Sequence, residues 1–225
     1  MKKIFTFLLS CVCVFQMVYS QQNNPQQSPN DTVQSQNAAN QSGLHIEKSR
    51  ITLGGGMFLP LGKLNQYIGS SPYFEFVADV ELKGQKSYGF TFQAVIPNER
   101  DEFMFRHAND TLRGEATVIL NFTFDFKKTL KTSPKSKLEI KFGAGFSWIN
   151  TNARNPAFTR DNDEPRFESI GALLLVPSLE YTYKISEHAE FIFGLGLSYA
   201  PYRMDSSLIN YIGGLALMPK LGYVF

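Results

Sequence analysis

Cysteine is nearly absent from this chain of 225 residues, which has only Cys11 and Cys13, both near the amino terminus. They lie in an apolar run that follows two lysines and ends near a small-residue cleavage site at Ser20, so residues 1–20 are predicted to be a signal peptide. The mature chain would then have no thiol, which excludes disulfides, thiol nucleophiles and thiolate metal ligands. A Leu-Leu-Ser-Cys box at residues 8–11 leaves lipidation of Cys11 as an alternative.

Long apolar runs and charge of one sign are also lacking. After residue 20 no stretch approaches the roughly 20 apolar residues that a membrane-spanning helix needs. The 22 basic and 20 acidic residues give a net charge of +2, which argues against a nucleic-acid partner. The three histidines, His45, His107 and His188, do not have metal-ligand spacing. We therefore expect no catalytic residue, no cofactor and no metal site.

Residues 21–48 are predicted to be a disordered, Gln/Asn-rich periplasmic tail. Most of this segment is glutamine, asparagine and serine, with almost no large apolar side chain. Such a composition buries too little surface to offset the entropy of ordering. One folded domain is expected after it, over residues 49–225.

The rest of the chain alternates with a period of two. In each alternating segment one face is bulky and apolar, whereas the other carries glycine, serine, threonine, alanine and scattered charges. Bulky side chains from eight strands would overfill a narrow barrel interior but fit outside it, against lipid. The pattern predicts an all-β fold, an eight-stranded antiparallel up-and-down transmembrane β-barrel, with a soluble two-sheet sandwich as the alternative. The segments span about residues 50–59, 73–82, 86–96, 114–126, 137–149, 171–184, 188–200 and 211–225.

Connection lengths predict the orientation. An even number of strands places both ends of the barrel on the periplasmic side. The outer loops are then 60–72, 97–113, 150–169 and 201–210, and the periplasmic turns are 83–85, 127–136 and 185–187. The turn at 127–136 is long for its side and rich in lysine. It is either a solvated turn or a contact with anionic headgroups.

Aromatic residues collect at the ends of the apolar faces, where tyrosine and tryptophan favour the membrane interfaces. The final segment ends on Tyr223 and Phe225, as the closing strand of an outer-membrane barrel would. We expect two aromatic girdles, built from Tyr88, Trp148, Tyr181, Tyr183, Tyr199 and Tyr211.

The inward face also carries charges, which are costly to bury unless they are paired. We expect an ion-pair network that fills the barrel, with a narrow path for water or ions as the alternative. Glu81, Asp125, Lys137 and Lys184 share this face. The predicted members of the network are Glu75, Asp79, Glu115, Glu139, Lys141, Glu180, Glu190 and Lys220.

Residues 54–69 read Gly-Gly-Gly-Met-Phe-Leu-Pro-Leu-Gly-Lys-Leu-Asn-Gln-Tyr-Ile-Gly. This stretch resembles the small outer-membrane β-barrel domains called porin-family or PorT-like, which have a glycine-rich first strand, a Pro-x-Gly-x-Leu turn and a Tyr-x-Gly element. The resemblance covers about residues 50–225. It implies insertion into the outer membrane of Gram-negative bacteria and implies no reaction. It also implies that Tyr223 and Phe225 form the signal that the barrel-assembly machinery recognises.

These features predict a non-enzymatic outer-membrane protein with a structural or binding role through its outer loops and periplasmic tail. Its expected partners are outer-membrane lipid, the barrel-assembly machinery and other envelope proteins, and no nucleic acid. A component of an envelope secretion or transport machine is the main alternative, which the PorT-like resemblance allows. A lipid-modifying barrel enzyme is disfavoured because no histidine is predicted on the lipid face beside an outward serine.

Overall fold

The computed structural model describes residues 46–82, 85–107, 110–156, 158, 166–186, 189–204 and 211–225, so the predicted signal peptide and nearly all of the predicted tail lie outside it. Eight long strands dominate these residues. They are β1 (Ile46–Leu61), β3 (Ser71–Leu82), β4 (Lys86–Val95), β8 (Ala116–Ser133), β9 (Ser136–Arg154), β10 (Phe167–Lys184), β11 (Glu190–Arg203) and β12 (Tyr211–Val224). The shorter elements are α1 (Leu64–Tyr67), β2 (Ile68–Gly69), β5 (Asn98–Glu99), β6 (Phe103–His107) and β7 (Asp110–Gly114).

The eight long strands form a closed barrel in the order β1-β12-β11-β10-β9-β8-β4-β3. Each strand pairs antiparallel with the next, and β12 closes the ring on β1 through pairs such as Leu53 with Tyr223. Closure satisfies every strand edge within the wall, which is the condition for a sheet to stand in lipid. The predicted eight-stranded up-and-down barrel is confirmed.

The wall alternates as the sequence predicts, with its apolar side outward. Phe124, Leu173 and Phe74 are 78%, 66% and 65% exposed, whereas the residues beside them, Thr123, Leu174 and Glu75, are buried in the interior. An apolar surface that runs round the whole wall is far larger than the patches that soluble monomers expose. The barrel exterior is therefore suited to hydrocarbon rather than water. Within the described ranges, no α-helix has the length and apolar character needed to cross a bilayer.

The two ends of the barrel differ. We call the end of the barrel where β1 begins and the chain ends at Phe225 the terminal end, and the opposite end the loop end. At the terminal end the predicted turn over 127–136 was wrong, because β8 continues to Ser133 and β9 begins at Ser136. Lys127 and Thr129 keep the inward phase of β8 while Lys128 and Leu130 keep the outward phase, so the strand period runs through the lysine-rich segment.

At the loop end, the predicted loops contain regular structure. Helix α1 and β2 lie in the first connection, and β5 and the β6–β7 hairpin lie in the second. In the third, β9 extends to Arg154 and β10 begins at Phe167. Ala116, predicted on the lipid face, is buried instead, since the register shifts between Ala116 and Val118 and turns it inward.

Candidate functional site inside the barrel and at its loop end

The interior nearer the terminal end holds a set of paired charges, which we call the interior ion cluster. Its members come from strands all round the barrel and point to the axis because they occupy the inward positions of the alternation. Most of them are buried. The cations are Arg50, Lys127, Lys137, Lys141 and Lys220, and the carboxylates are those of Glu75, Asp79, Glu81, Asp125, Glu139, Glu180 and Glu190.

Glu180 on β10 lies at the centre of the part of this cluster that is farther from the terminal end. Its carboxylate is 2.8 Å from Nζ of Lys220, 3.2 Å from Nζ of Lys127 and 3.6 Å from Nζ of Lys141. Each lysine also contacts a second carboxylate, for instance Lys220 with Glu75 at 2.6 Å. Because Glu180 is 0% exposed, its charge depends wholly on these lysines for compensation.

Arg50 on β1 forms a second centre, closer to the terminal end. Its guanidinium lies 2.7 Å from Glu81, 3.4 Å from Glu190 and 3.9 Å from Glu139. Lys137 joins the same group, with Nζ 2.6 Å from Glu81 and 2.8 Å from Glu139. These contacts cross-link β1, β3, β9 and β11 through the barrel interior.

Inward glycines make room for the cluster. A Cβ atom at Gly143 would lie 2.5 Å from Oδ1 of Asp125, and one at Gly194 would lie 2.7 Å from Cε of Lys220. A Cβ at Gly89 would collide with the carboxylate of Asp79. Since these distances are shorter than van der Waals contact, a methyl group at any of the three positions would force the neighbouring ionic side chain to shift.

A short chain of polar groups separates the ion cluster from the loop end. Nε2 of Gln93 donates to Glu75 at 2.7 Å, and Nδ2 of Asn121 donates to Oε1 of Gln93 at 3.2 Å. The Ser147 hydroxyl donates to Asn121 and lies within hydrogen-bond distance of the Tyr202 hydroxyl, at 2.5 Å in both cases. The polar interior thus ends in a satisfied network.

The interior nearer the loop end is apolar, which the alternating sequence pattern did not predict. We call this buried set the apolar plug. Barrel strands contribute inward residues such as Phe58, Ile119 and Ile149, and the loop end contributes Leu64 and Phe103. All of these are at most 2% exposed. The described interior is therefore filled by ions at one end and by hydrocarbon at the other.

The first two loop-end connections are bound to each other above the plug. The rings of Tyr67 and Phe103 stack with centroids 5.0 Å apart, and β2 pairs with β5. The Arg100 amide donates to the Tyr67 carbonyl at 3.0 Å. Burial and the nearby Asp101 carboxylate raise the pKa of the Tyr67 hydroxyl. This arrangement joins the first two connections into one assembly, which we call the loop cap (residues 62–70, 96–107 and 110–115).

Glu115 departs from the predicted network. It lies at the loop end, half-buried, where its amide donates to Oδ1 of Asn152 at 2.7 Å and its carboxylate accepts from Nδ2 of Asn152 at 3.3 Å. Desolvation and the nearby Glu115 carboxyl raise the pKa of Glu99. Glu115 was assigned inward because it is in phase with β8, but it precedes that strand and the register shift at Ala116 breaks the phase.

The other predicted members of the network all lie in the interior ion cluster. Arg50 and Lys127 were missed. Arg50 is in phase with the inward Thr52, which the alternation could have shown, whereas Lys127 was assigned to a turn because lysines follow it. The predicted girdle residues are all exposed on the outer wall: Tyr88, Trp148, Tyr181, Tyr183, Tyr199 and Tyr211.

At the closing strand, the rings of Tyr223 and Phe225 meet edge to face with centroids 4.9 Å apart. The Phe225 amide donates to the Ile51 carbonyl at 3.0 Å, so the chain remains bound to β1 to its last residue. Of the histidines, His107 lies in β6, while His45 and His188 are outside the described residues. In the part of the chain that the structure describes, no group of His, Cys, Asp and Glu side chains is placed to hold a metal ion.

Neither a protein-family model nor a curated protein matches the sequence. Solved structures with a similar fold are small outer-membrane barrels. Neisserial surface protein A is 8% identical, with a TM-score of 0.50, and the match covers 78% of this chain and 95% of that protein. The amino-terminal β-barrel domain of OprF from Pseudomonas aeruginosa is 9% identical, with a TM-score of 0.44 and coverage of 80% and 100%. The outer membrane protease OmpT from Escherichia coli is 9% identical, with a TM-score of 0.41 and coverage of 82% and 96%.

At such low identity the likeness is one of fold. It agrees with what the chain shows by itself, namely a closed ring of eight strands with an apolar exterior and a filled interior. A closed barrel with a lipid-facing wall is the form in which β-strands span the bacterial outer membrane. The chain is a small eight-stranded β-barrel protein of the outer membrane.

Proposed function

We propose that this protein is a closed, non-enzymatic barrel that binds envelope or extracellular partners through its loop cap. The observation that carries the proposal is the way in which the cap is held. Phe103, buried at 0% exposure, fixes the β6–β7 hairpin to the apolar plug, and Tyr67 stacks on it. A loop held in one conformation loses less entropy on binding than a mobile one, and binding residues are commonly found on loops that a rigid scaffold positions.

The surface of the cap offers both charge and apolar area. Met104 and Arg106 alternate outward with the buried Phe103 and Phe105 along β6, so this strand presents one face to the plug and the other to solvent. Arg113 on β7 lies 3.6 Å from Glu102, with both side chains exposed. Long side chains of mixed polarity on a rigid hairpin suit recognition of a protein or a polar headgroup rather than chemistry on a buried substrate.

Cross-linking in intact cells, followed by capture of the cross-linked partners, tests this proposal. Wild-type protein would be cross-linked in intact cells beside a variant in which Met104, Arg106 and Arg113 are replaced by serine. These outward substitutions leave Phe103 and Phe105 in the plug. A matched variant, Lys131→Ser with Lys135→Ser, alters only the opposite end. Partners lost from the cap variant and retained by the matched variant support binding at the cap. An identical set of partners for all three proteins contradicts it.

A role in an envelope secretion or transport machine is the second candidate, because of the PorT-like resemblance of residues 54–69. In this candidate the barrel serves as an anchor, and the partners bind the predicted tail at 21–48. Removing residues 24–42 while retaining the cap would then abolish partner capture. Retention of all partners after this deletion would count against a machine assembled through the tail.

A further inference from the structure

Outward residues that are register partners on adjacent strands form one level of the outer wall. Near the terminal end, one such level carries two lysines side by side. Lys86 on β4 and Lys128 on β8 are register partners, and both are exposed. Their neighbours at the same level are Leu82 on β3 and Ile140 on β9. The level therefore reads leucine, lysine, lysine, isoleucine across four adjacent strands. We call it the lysine rung.

The next outward level, towards the middle of the wall, is entirely apolar or aromatic. It consists of Val80, Tyr88, Phe126 and Phe142 on the same four strands. The rings of Tyr88 and Phe126 are in contact, with centroids 5.4 Å apart. Tyrosine at the end of an apolar wall marks the depth of lipid headgroups. The lysine rung thus lies where the hydrocarbon ends and the phosphates begin.

Neither ammonium group has an ion-pair partner in the part of the chain that the structure describes. None of the salt bridges among the described residues involves Lys86 or Lys128, and the residues on either side of the pair are apolar. Like charges directly opposite each other on neighbouring strands destabilise a sheet. The pair is therefore expected to be stabilised by an anion from outside the chain.

The lysine rung is confined to one side of the barrel. On the opposite side, the outward level near the terminal end is formed by Tyr183, Phe191, Tyr223 and Leu53, with no lysine among them. A general attraction to an anionic membrane surface would not require two lysines paired on one arc of the wall. An arc of charge beneath an apolar, aromatic level instead matches one molecule that has an anionic head and acyl chains.

We propose that the lysine rung binds the phosphate of an anionic phospholipid from the inner leaflet of the outer membrane. The lipid phosphate lies between the ammonium groups of Lys86 and Lys128, while its acyl chains run along Tyr88, Phe126 and Phe142. Both lysines reach the phosphate from outward positions by extending their apolar stems along the wall, as lysines do at membrane interfaces. The assignment to the inner leaflet rests on the orientation predicted from the even strand count.

Competition between two lipids tests the site. Purified barrel in neutral detergent micelles would be given equal amounts of phosphatidylglycerol and phosphatidylcholine with identical acyl chains, and retained lipid would be counted by mass spectrometry of the intact complexes. We expect a preference for phosphatidylglycerol that falls by about fivefold for each lysine removed. Lys86→Gln with Lys128→Gln should abolish it, and Lys86→Arg with Lys128→Arg should retain it. High salt should weaken it.

The matched control removes equal charge beyond the wall, with Lys131→Gln and Lys135→Gln at the end of the β8–β9 hairpin. This variant should keep the wild-type preference. A gel shift between unboiled and boiled samples verifies that every variant is folded. Equal retention of both lipids by the wild type would overturn the proposal. So would a preference that survives the Lys86/Lys128 change, or one that both double glutamine variants lose to the same extent.

Discussion

Lys220 on β12 and Glu180 on β10 approach to 2.8 Å through the barrel interior, although β11 separates their strands in the wall. Contacts of this kind join strands that the hydrogen-bond ladder does not. The interior ion cluster therefore stabilises the barrel by linking strands across its interior. Burial of the outer side chains adds little stability, since lipid is as apolar as the side chains it meets.

Replacing Glu180 with glutamine should destabilise the barrel strongly. The change keeps the shape of the side chain but leaves Lys127, Lys141 and Lys220 with one carboxylate fewer. Breaking a buried ion pair by neutralising one partner costs about 3–5 kcal/mol. The free energy of unfolding, from urea titration in micelles, measures the loss. Glu115→Gln, at the loop end, should change it by less than about 0.5 kcal/mol. Equal stability of the two variants would contradict the central position of Glu180.

Gly89→Ala tests whether the inward glycines are required for space. The new methyl group would overlap the carboxylate of Asp79, which pairs with Lys127 at 2.5 Å. Overpacking of this kind costs about 1–3 kcal/mol. Gly171→Ala is the matched change, since that Cβ would meet Trp148 no closer than 3.4 Å on the outer wall. If both alanine variants unfold at the same urea concentration, the ion cluster has more room than the distances indicate.

Phe103→Ala should release the loop cap while leaving the barrel closed. The substitution removes a side chain that is buried in the plug and stacked on Tyr67, at a cost of about 3–5 kcal/mol to the cap. Limited proteolysis should then cut within residues 96–115, whereas the wild type resists. The neighbouring Met104→Ala, on the exposed face of β6, should remain resistant. Equal resistance of both variants would show that the plug does not hold the cap.

Deleting Phe225 should impair assembly more than it impairs the folded barrel. Phe225 contributes one hydrogen bond to Ile51 and a ring contact with Tyr223, which is little of the total wall. By resemblance, it also forms part of the signal that the assembly machinery recognises. The amount of protein in isolated outer membranes should therefore fall, while refolding of the truncated chain into detergent should match that of the wild type. Normal membrane levels would refute this role.

Much of the fold could be predicted from the sequence because a strand in a membrane wall has only two environments. The period of two separates Phe74, Phe76 and Ala78 from Glu75 and Asp79 without any knowledge of pairing. The closing strand and the outward aromatic residues follow from the same rule. Segment ends were less predictable, as at Lys127, where the sequence resembles a solvated turn and only distant carboxylates on β3 and β10 explain its burial.

The loop end could not be predicted in the same way. Ile119 and Ile149 are apolar residues at inward positions, and the inward face was expected to be small or charged. They are buried because Phe103 and Leu64 fold into the barrel mouth from connections that alternation does not describe. Such contacts depend on where loops return in space, which a local pattern does not encode.

The filled interior is the central claim about the barrel itself, and single-channel conductance tests it directly. Purified protein, verified as folded by its shift between unboiled and boiled gel samples, would be inserted into planar bilayers under a steady voltage. With ions paired at one end and the apolar plug at the other, the wild type should give a flat baseline. Reproducible conductance steps from the wild-type protein would contradict a closed barrel and favour a path through it.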